Sequence, residues 1–509
     1  MLRRRWILLL LVTVLVGGTL GASLAYGFYR RSRFYAGAVA AALTEFFNLP
    51  TDVGGSVPLT LRGDRFFDVV VWLPGRRGVI FAGRQADWRP SEEPEDGGHR
   101  LCLDGGQFVI DSTLWEQDDY RRVLESGLGH NFAELNLEKI DIRHLDFSWC
   151  HGDFGLQTRR ASGAIFFDAS GEGRAVLSSR WLGDYEAEEP INITARFHPR
   201  GALTIEQVVL EVPQIPLPAL GLEQVLRSPV TSGDFSGEVR YSESGGAQRV
   251  AISGDLQDVR LEEVTGYLRR GPIGGRIRMH VDSGVIVDRR LTELAFRGRI
   301  DELDVSSITN QFGLPDVGGR ARIVIHEGEI RDNDIQWLGL NGRVEGISLE
   351  ALAPLLGRGV ITGSLKADIR SLVVRQGRIE SAEVLVKADL PEGQTGLISR
   401  ELVQDIVARL TGLNLPDFLP EQLEYTKLGA RLIIEGDSLR VLGAHGARNT
   451  TILTVKAFGR EIGVLFQPSR DFDIGPLIDG LRRRAEETRI EDLQRWWDAY
   501  RGPALPPPP

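Results

Sequence analysis

A gap-free period of 44 residues constrains this chain more than any other feature. Gly254, Gly298 and Gly342 are evenly spaced (298 − 254 = 44 and 342 − 298 = 44), and the same step carries Gly275 to Gly319 to Gly363. Apolar positions keep the step: Val259, Leu303 and Ile347; Leu261, Val305 and Leu349; Val264, Ile308 and Leu352; Leu268, Phe312 and Leu356; Ile273, Val317 and Ile361. Such a period marks stacked supersecondary units, each too small to bury its own apolar face. The expected fold is mainly β with short helices, an elongated twisted repeat sheet.

Each copy reads alike. A short strand follows the first glycine, then a helix of about two turns with Leu261, Val264 and Leu268 at i, i+3 and i+7. The second glycine opens a strictly alternating strand, Arg276–Val281, with counterparts Arg320–Ile325 and Ser364–Ile369, and a further strand closes the copy. Alternation sends successive side chains to opposite faces. One face carries Arg276, Arg278, Arg320, Arg322 and Lys366. The other carries Ile277, Met279, Val281, Ala321, Ile323, Ile325, Leu365, Ala367 and Ile369, the candidate functional surface. Looser copies flank these: a strand at Ser236-Gly237-Glu238, a longer helix over Glu401–Leu410 and a strand start over Gly429–Ile434. The array is placed at residues 201–470, clearest at 254–369.

Residues 51–200 read as a β-rich N-terminal part. Leu135, Leu137, Ile140, Ile142, Leu145 and Phe147 alternate with polar residues, with two slips in register. Strand patterns return at Ala164–Asp168, Arg174–Ser179, Ile191–Phe197 and Gln207–Val212, and Ser91–Gly98 is a polar loop. The 59 glycines, well above ordinary usage, suit an architecture of many tight turns. Residues 34–50 form a linker helix that Pro50 and Gly54-Gly55 stop. Residues 471–500 form a C-terminal helix with Ile490, Leu493, Trp497 and Tyr500 on one face. Its role is to cap the array, or to bring Trp496 and Trp497 to a membrane or partner. A Pro-rich tail, 501–509, closes the chain.

At the other end, Arg3, Arg4 and Arg5 precede an uncharged run from Trp6 to Tyr29, which Arg30, Arg31 and Arg33 close. A run of this length spans a bilayer as a helix. Residues 1–33 are therefore expected to be a single transmembrane anchor in the inner (cytoplasmic) membrane, with the bulk of the chain exported. A cleaved signal peptide with Ser23-Leu24-Ala25 as its small-residue site is the competing reading. Gly17 and Gly21 form a small-xxx-small pair, common in membrane helices whether or not they dimerise.

Chemistry is sparse. The net charge of −10 argues against a nucleic-acid partner. Cys102 and Cys150 either pair or remain two buried thiols, and their neighbours His99, His144 and His151 match no ligand spacing for zinc. There is no phosphate loop, dinucleotide fingerprint, nucleophile elbow or His-Glu-x-x-His. The acid pairs Glu262-Glu263 and Glu486-Glu487 read as solvated helix residues, and His280 and His326 as solvated strand residues. No metal, cofactor or enzymatic activity is expected.

The segments GDLQDVRLEEVTGYL…GGRIRMHV, GRIDELDVSSITNQF…GGRARIVI and GRVEGISLEALAPLL…TGSLKADI, within Gly254–Ile369, resemble the AsmA-like superfamily of envelope proteins (AsmA, TamB and YdbH type), as does LNLEKIDIRHLDF at Leu135–Phe147. The likeness covers about two-thirds of the chain and lies in pattern rather than an invariant motif. It implies a taco-like apolar groove behind the anchor, and phospholipid passage toward an outer membrane. On this expectation Ile323→Asp abolishes lipid binding without unfolding. An alternative is a structural or assembly scaffold for outer-membrane or surface components, with its apolar face sealed as a core. A third, an envelope enzyme acting on glycan, would need a polar cleft with clustered carboxylates.

Overall fold

The computed structural model describes residues 22, 24–60, 62–91, 98–111, 137–151, 154–168, 172–198, 204–220, 231–244, 247–266, 271–287, 290–311, 313–332, 334–356, 358–391, 393–411, 419–446, 448–457 and 459–476. Most of the expected anchor, the pair Gly17 and Gly21, the repeat positions Leu268 and Phe312, most of the C-terminal helix and the Pro-rich tail lie outside these residues. The chain divides into two units. Unit 1 comprises Met1–Ile215, Ala219–Gly221 and Gly237–Val250; unit 2 comprises Pro216–Pro218, Leu222–Ser236 and Ala251–Pro509. The described part is mainly β with a few short helices, and none of those helices is long and apolar enough to cross a membrane.

Unit 1 begins with helical residues 24–30, a bend, and helix α1 (Arg33–Phe47), one residue longer at its start than the sequence suggests. Ser32 caps it by accepting from the Tyr35 N–H, and Asn48 ends it in the left-handed region. Gly54 and Gly55 belong to the first strand rather than to a helix stop. The strands are β1 (Thr51–Pro58), β2 (Asp64–Trp72), β3 (Val79–Pro90), β4 (His99–Asp111), β5 (Leu137–His151), β6 (Phe154–Phe167), β7 (Gly173–Leu182), β8 (Tyr185–His198) and β9 (Thr204–Pro216). Consecutive strands pair in an antiparallel ladder, except β4 and β5, which run parallel. Both slips read from the sequence are present: the register of β5 against β4 shifts between Leu137 and Lys139, and its register against β6 shifts between Ile142 and Leu145, where His144 is left-handed, and once more before Phe147. The shifts keep Leu137, Ile140, Ile142 and Leu145 all buried on one face.

Parallel register settles the cysteines. Cys102 lies opposite Asp141, and Cys150 opposite Asp111. Nine strand residues separate the two positions, roughly 30 Å. A disulfide tolerates about 7 Å between Cα atoms, so the two do not bridge.

One buried clamp ties the helical entry to the first hairpin. The Arg30 guanidinium donates to the Thr60 and Gly63 carbonyls at 2.8 Å each and pairs with Asp64. The Tyr35 hydroxyl donates to Asp64 at 2.7 Å, and Ser56 donates to the Arg30 carbonyl at 2.6 Å. Burial, with the Asp64 hydrogen bond, pushes the Tyr35 phenol up to about 12. Read from sequence, Arg30 was one of three flanking charges; in the fold it is 3% exposed.

The strands that follow are β10 (Asp234–Ser244), β11 (Ala247–Arg260), β12 (Arg276–Val287), β13 (Arg290–Asp304), β14 (Arg320–Arg331), β15 (Asp334–Ser348), β16 (Ser364–Arg375), β17 (Arg378–Ala388), β18 (Gly396–Ser399), β19 (Gln422–Glu435), β20 (Ser438–Gly443), β21 (Thr451–Ala457), β22 (Arg460–Phe466) and β23 (Phe472–Asp473). The helices of unit 2 are α2 (Leu261–Val264), α3 (Val305–Gln311), α4 (Leu349–Leu356) and α5 (Arg400–Thr411). Strands β12 to β17, then β19 and β20, form one antiparallel ladder, and β18, β19, β21 and β22 form a second. Strand β19 serves both: Gln422–Leu428 pairs in the second ladder and Gly429–Glu435 in the first.

The 44-residue step has a structural cause at each position. Asp258, Glu302 and Gly346, 44 apart, all take left-handed φ (53°, 54° and 74°). Beside Glu302 and Gly346 the ladder slips register, and the strand end turns into a helix. The first helical N–H then donates to the carbonyl of the second glycine: Leu261 to Gly275, Val305 to Gly319, Leu349 to Gly363. The first-glycine set sits inside long strands, not before short ones as the sequence suggested. A Cβ on Gly298 would lie 2.3 Å from the Arg278 carbonyl oxygen, and one on Gly342 2.5 Å from that of Arg322. Only glycine lets the neighbouring strand pass so close.

The looser copy read at Ser236-Gly237-Glu238 falls within β10, and the same device recurs there. Leu217, 44 residues before Leu261, donates its N–H to Gly233. Gly233, not Ser236-Gly237, opens the strand there, because two extra residues break the strict spacing. After residue 471 the chain first adds β23 against β20, so the helix expected from 471 does not begin there.

Candidate functional site

Unit 2 brings the nine apolar candidates together. Ile277, Met279 and Val281 lie on β12, Ala321, Ile323 and Ile325 on β14, and Leu365, Ala367 and Ile369 on β16. Register then runs in rows across the ladder. One row is Ile277, Ile300, Ile323, Gly342, Ile369; another is Leu303, Ala321, Val344, Ala367, Val386. Ile300, Leu303, Leu340 and Val344 come from the intervening β13 and β15. They were absent from the candidate surface, although Leu338, Leu340 and Val344 show the same period of two.

Burial along this surface is uneven. Strand β14 alternates strictly, with Ala321, Ile323 and Ile325 buried and Arg320, Arg322 and Val324 exposed. Val281, Leu365 and Ala367 are also buried, whereas Ile277, Met279 and Ile369 are half-buried. At the helix end, Leu261, Ile273, Val305 and Ile308 pack over Leu303 and Ala321. Ile323 belongs to that packed cluster and is only 8% exposed. A carboxylate there would be buried without a partner and would threaten the fold itself, so Ile323→Asp does not separate ligand binding from stability. The half-buried Met279 and Ile369 do.

Beyond β16 the apolar surface becomes a closed core. Leu402, Val403, Tyr425, Leu453 and Val455 are essentially inaccessible. The Tyr425 hydroxyl donates to the Thr362 carbonyl at 2.7 Å, and burial pushes its phenol up to about 12. Where the two ladders part at Gly429, a cavity of about 210 Å³ remains. Leu365, Ile398, Val403, Leu428, Ile452 and Leu453 help line it, and no polar side chain does. An apolar cavity of about 150 Å³ stays dry and accepts a small hydrocarbon. Of the nine candidates only Leu365 reaches this cavity. Leu349 and Ile361, both positions of the 44-residue period, also line it; its remaining walls come from residues 386–465, where the strict period has ended and no sequence signal linked them.

The outer face is charged and cross-linked. Arg278 pairs with Asp258, Arg322 with Asp301, Arg343 with Asp368 and Lys366 with Asp389. These exposed pairs select register more than they add stability. His280 lies 2.8 Å from Asp255, also at the surface. Among the described residues no His, Cys, Asp and Glu side chains converge to hold a metal ion. Glu486-Glu487 lies outside them.

Of the other acid pair, Glu263 is a structural group. Its carboxylate accepts from the backbone N–H and hydroxyl of both Thr231 and Ser232, and pairs with Arg260. Burial acts to raise its pKa, but those hydrogen bonds prevail and hold it down from 4.5 to about 2. A depressed folded-state pKa gives stability that is present above the unfolded value and lost as pH falls through the folded one. Unit 2 is therefore expected to lose stability between about pH 4.5 and 2. Glu263→Gln should flatten that part of the pH profile in urea unfolding monitored by circular dichroism; an unchanged profile would show that the clamp contributes nothing.

No protein-family model, curated protein or solved structure matches the chain.

Proposed function

We propose that unit 2 binds phospholipid acyl chains along the apolar face of β12–β16, and that the chain is a membrane-anchored envelope protein conducting lipid between membranes. The observation that carries this reading is an apolar row system left half-buried at Ile277, Met279 and Ile369, continuing toward a cavity without polar lining. Exposing acyl chain to water costs about 0.8 kcal/mol per CH₂. A continuous apolar strip removes that cost along its length and needs no catalytic group. The resemblance of the repeats to the AsmA-like superfamily, and the apolar run Trp6–Tyr29, favour the same reading and an inner-membrane anchor with an exported body.

A scaffold with a sealed apolar core is the second reading, favoured by the packed cluster around Leu402, Val403 and Tyr425. Native mass spectrometry distinguishes the two. Protein lacking residues 1–23 keeps Arg30 and its clamp, and is to be purified without detergent. It should carry phospholipid, and Met279→Asp with Ile369→Asp should lower occupancy on the order of tenfold or more, since desolvating a carboxylate costs several kcal/mol. A folded, lipid-free protein would leave the scaffold reading in place.

A further inference from the structure

The surroundings of the Arg30 clamp carry an inference that does not rest on the strand face. Unit 1 exposes large apolar side chains in one short stretch, with Leu24, Tyr26, Phe28, Tyr29 and Phe34 all at the surface. Phe28 and Phe34 are 71% and 85% exposed. Aromatic side chains left this bare on a folded unit mark a contact surface. Beside them are three exposed arginines. Arg31 and Arg33 flank the bend, and Arg62 lies on the β1–β2 turn that Arg30 grips through Thr60 and Gly63. Their side chains make no hydrogen bond or ion pair among the described residues, and the neighbouring Asp64 carboxylate is taken by Arg30 and Tyr35. On a chain of net charge −10 this is a basic spot that no acid compensates among the described residues.

We infer that this collar seats unit 1 on an anionic phospholipid bilayer, with the β1–β2 turn as a membrane-surface element. Tyr and Phe side chains on the helical entry occupy the headgroup zone, as interfacial aromatics do. Arg31, Arg33 and Arg62 then face the lipid phosphates, an attraction that each basic residue near an anionic surface adds to and that decays within a Debye length. The uncharged run Trp6–Tyr29 leads into the collar from the preceding side, which matches a membrane occupant rather than a protein one. The clamp makes the placement rigid. Because Arg30 is buried against the turn, Thr60 and Arg62 move with the helical entry, and the three arginines draw both onto the lipid surface.

The test uses the full chain with Cys102→Ser and Cys150→Ser, spin-labelled at Thr60→Cys, in nanodiscs of phosphatidylglycerol with phosphatidylcholine or of phosphatidylcholine alone. A label at Asp184→Cys, on the exposed β7–β8 turn of the same unit, is the aqueous reference. In anionic discs the Thr60 label should be severalfold more accessible to oxygen, relative to a water-soluble nickel chelate, than the Asp184 label. Joint replacement Arg31→Gln, Arg33→Gln and Arg62→Gln should move it severalfold toward the aqueous reference in anionic discs and leave it unmoved in neutral ones. A Thr60 label as aqueous as the reference in anionic discs would overturn the inference. So would a triple variant that leaves the label seated, or equal effects of the variant in both lipids.

Discussion

Replacing Arg30 with methionine is expected to destabilise unit 1 by about 3–5 kcal/mol, because it leaves the Asp64 carboxylate buried without its cationic partner. The Arg30 and Asp64 side chains are 4% and 10% exposed, so solvent screens this pair little. A buried pair is weak evidence for net stability even though breaking it is costly. Arg30→Met combined with Asp64→Leu should therefore recover most of the loss. Thiol labelling of Cys102 in increasing urea reads this directly, since both cysteines belong to unit 1 and unit 2 is silent. Burial raises the Cys102 thiol pKa, which slows labelling until the unit opens. With a urea slope of about 1–3 kcal/mol per molar, the single variant should move the midpoint by more than about 1 M. An unmoved midpoint would mean that the clamp is incidental, and that the first hairpin is held by its strand pairing alone.

The second large effect belongs to the cavity. Leu453→Ala should cost about 2–5 kcal/mol, because Leu453 is buried and its removal enlarges a void that already exists. Hydrogen exchange in β21 should then quicken by at least about 30-fold, the rate equivalent of the lower figure. Leu453→Phe is the informative partner. It fills the cavity with a comparable apolar side chain, so it should change stability by less than about 1.5 kcal/mol while displacing a bound acyl chain. A Leu453→Ala variant with unaltered exchange would show that the ladders do not pack across the cavity as described. Unaltered lipid occupancy in Leu453→Phe would confine any binding to the open strand face.

Periodicity made the repeat legible, and with it the nine apolar residues on alternate strands, because two physical rules with different periods act on the same segments. Alternation by two sorts side chains between faces. The 44-residue step recurs wherever the same left-handed bulge, helix start and glycine carbonyl recur. Where one element of that device changes length, the signal fails although the structure persists. Two extra residues before Gly233 loosened the copy at Leu217, so that Ser236-Gly237 rather than Gly233 read as its strand start. Arg30 was unreadable for another reason. A basic residue after an apolar run has an ordinary interfacial explanation, and only the distant Thr60, Gly63 and Asp64 turn it into a buried group. The cavity was equally hidden, since its walls meet only because β19 divides between two ladders at Gly429. The exposed ion pairs were visible as charges but not as partners, since register decides which strand position faces which.

Contact between lipid and the apolar face of β12–β16 is open to photocrosslinking in intact membranes. A benzophenone side chain replaces Met279 or Ile369 on that face, or Val324 on the opposite face of the same ladder. Phospholipid adducts, identified by mass spectrometry, are expected at 279 and 369 and none above background at 324. Absence of adducts at both face positions, or equal adducts at all three, would contradict it.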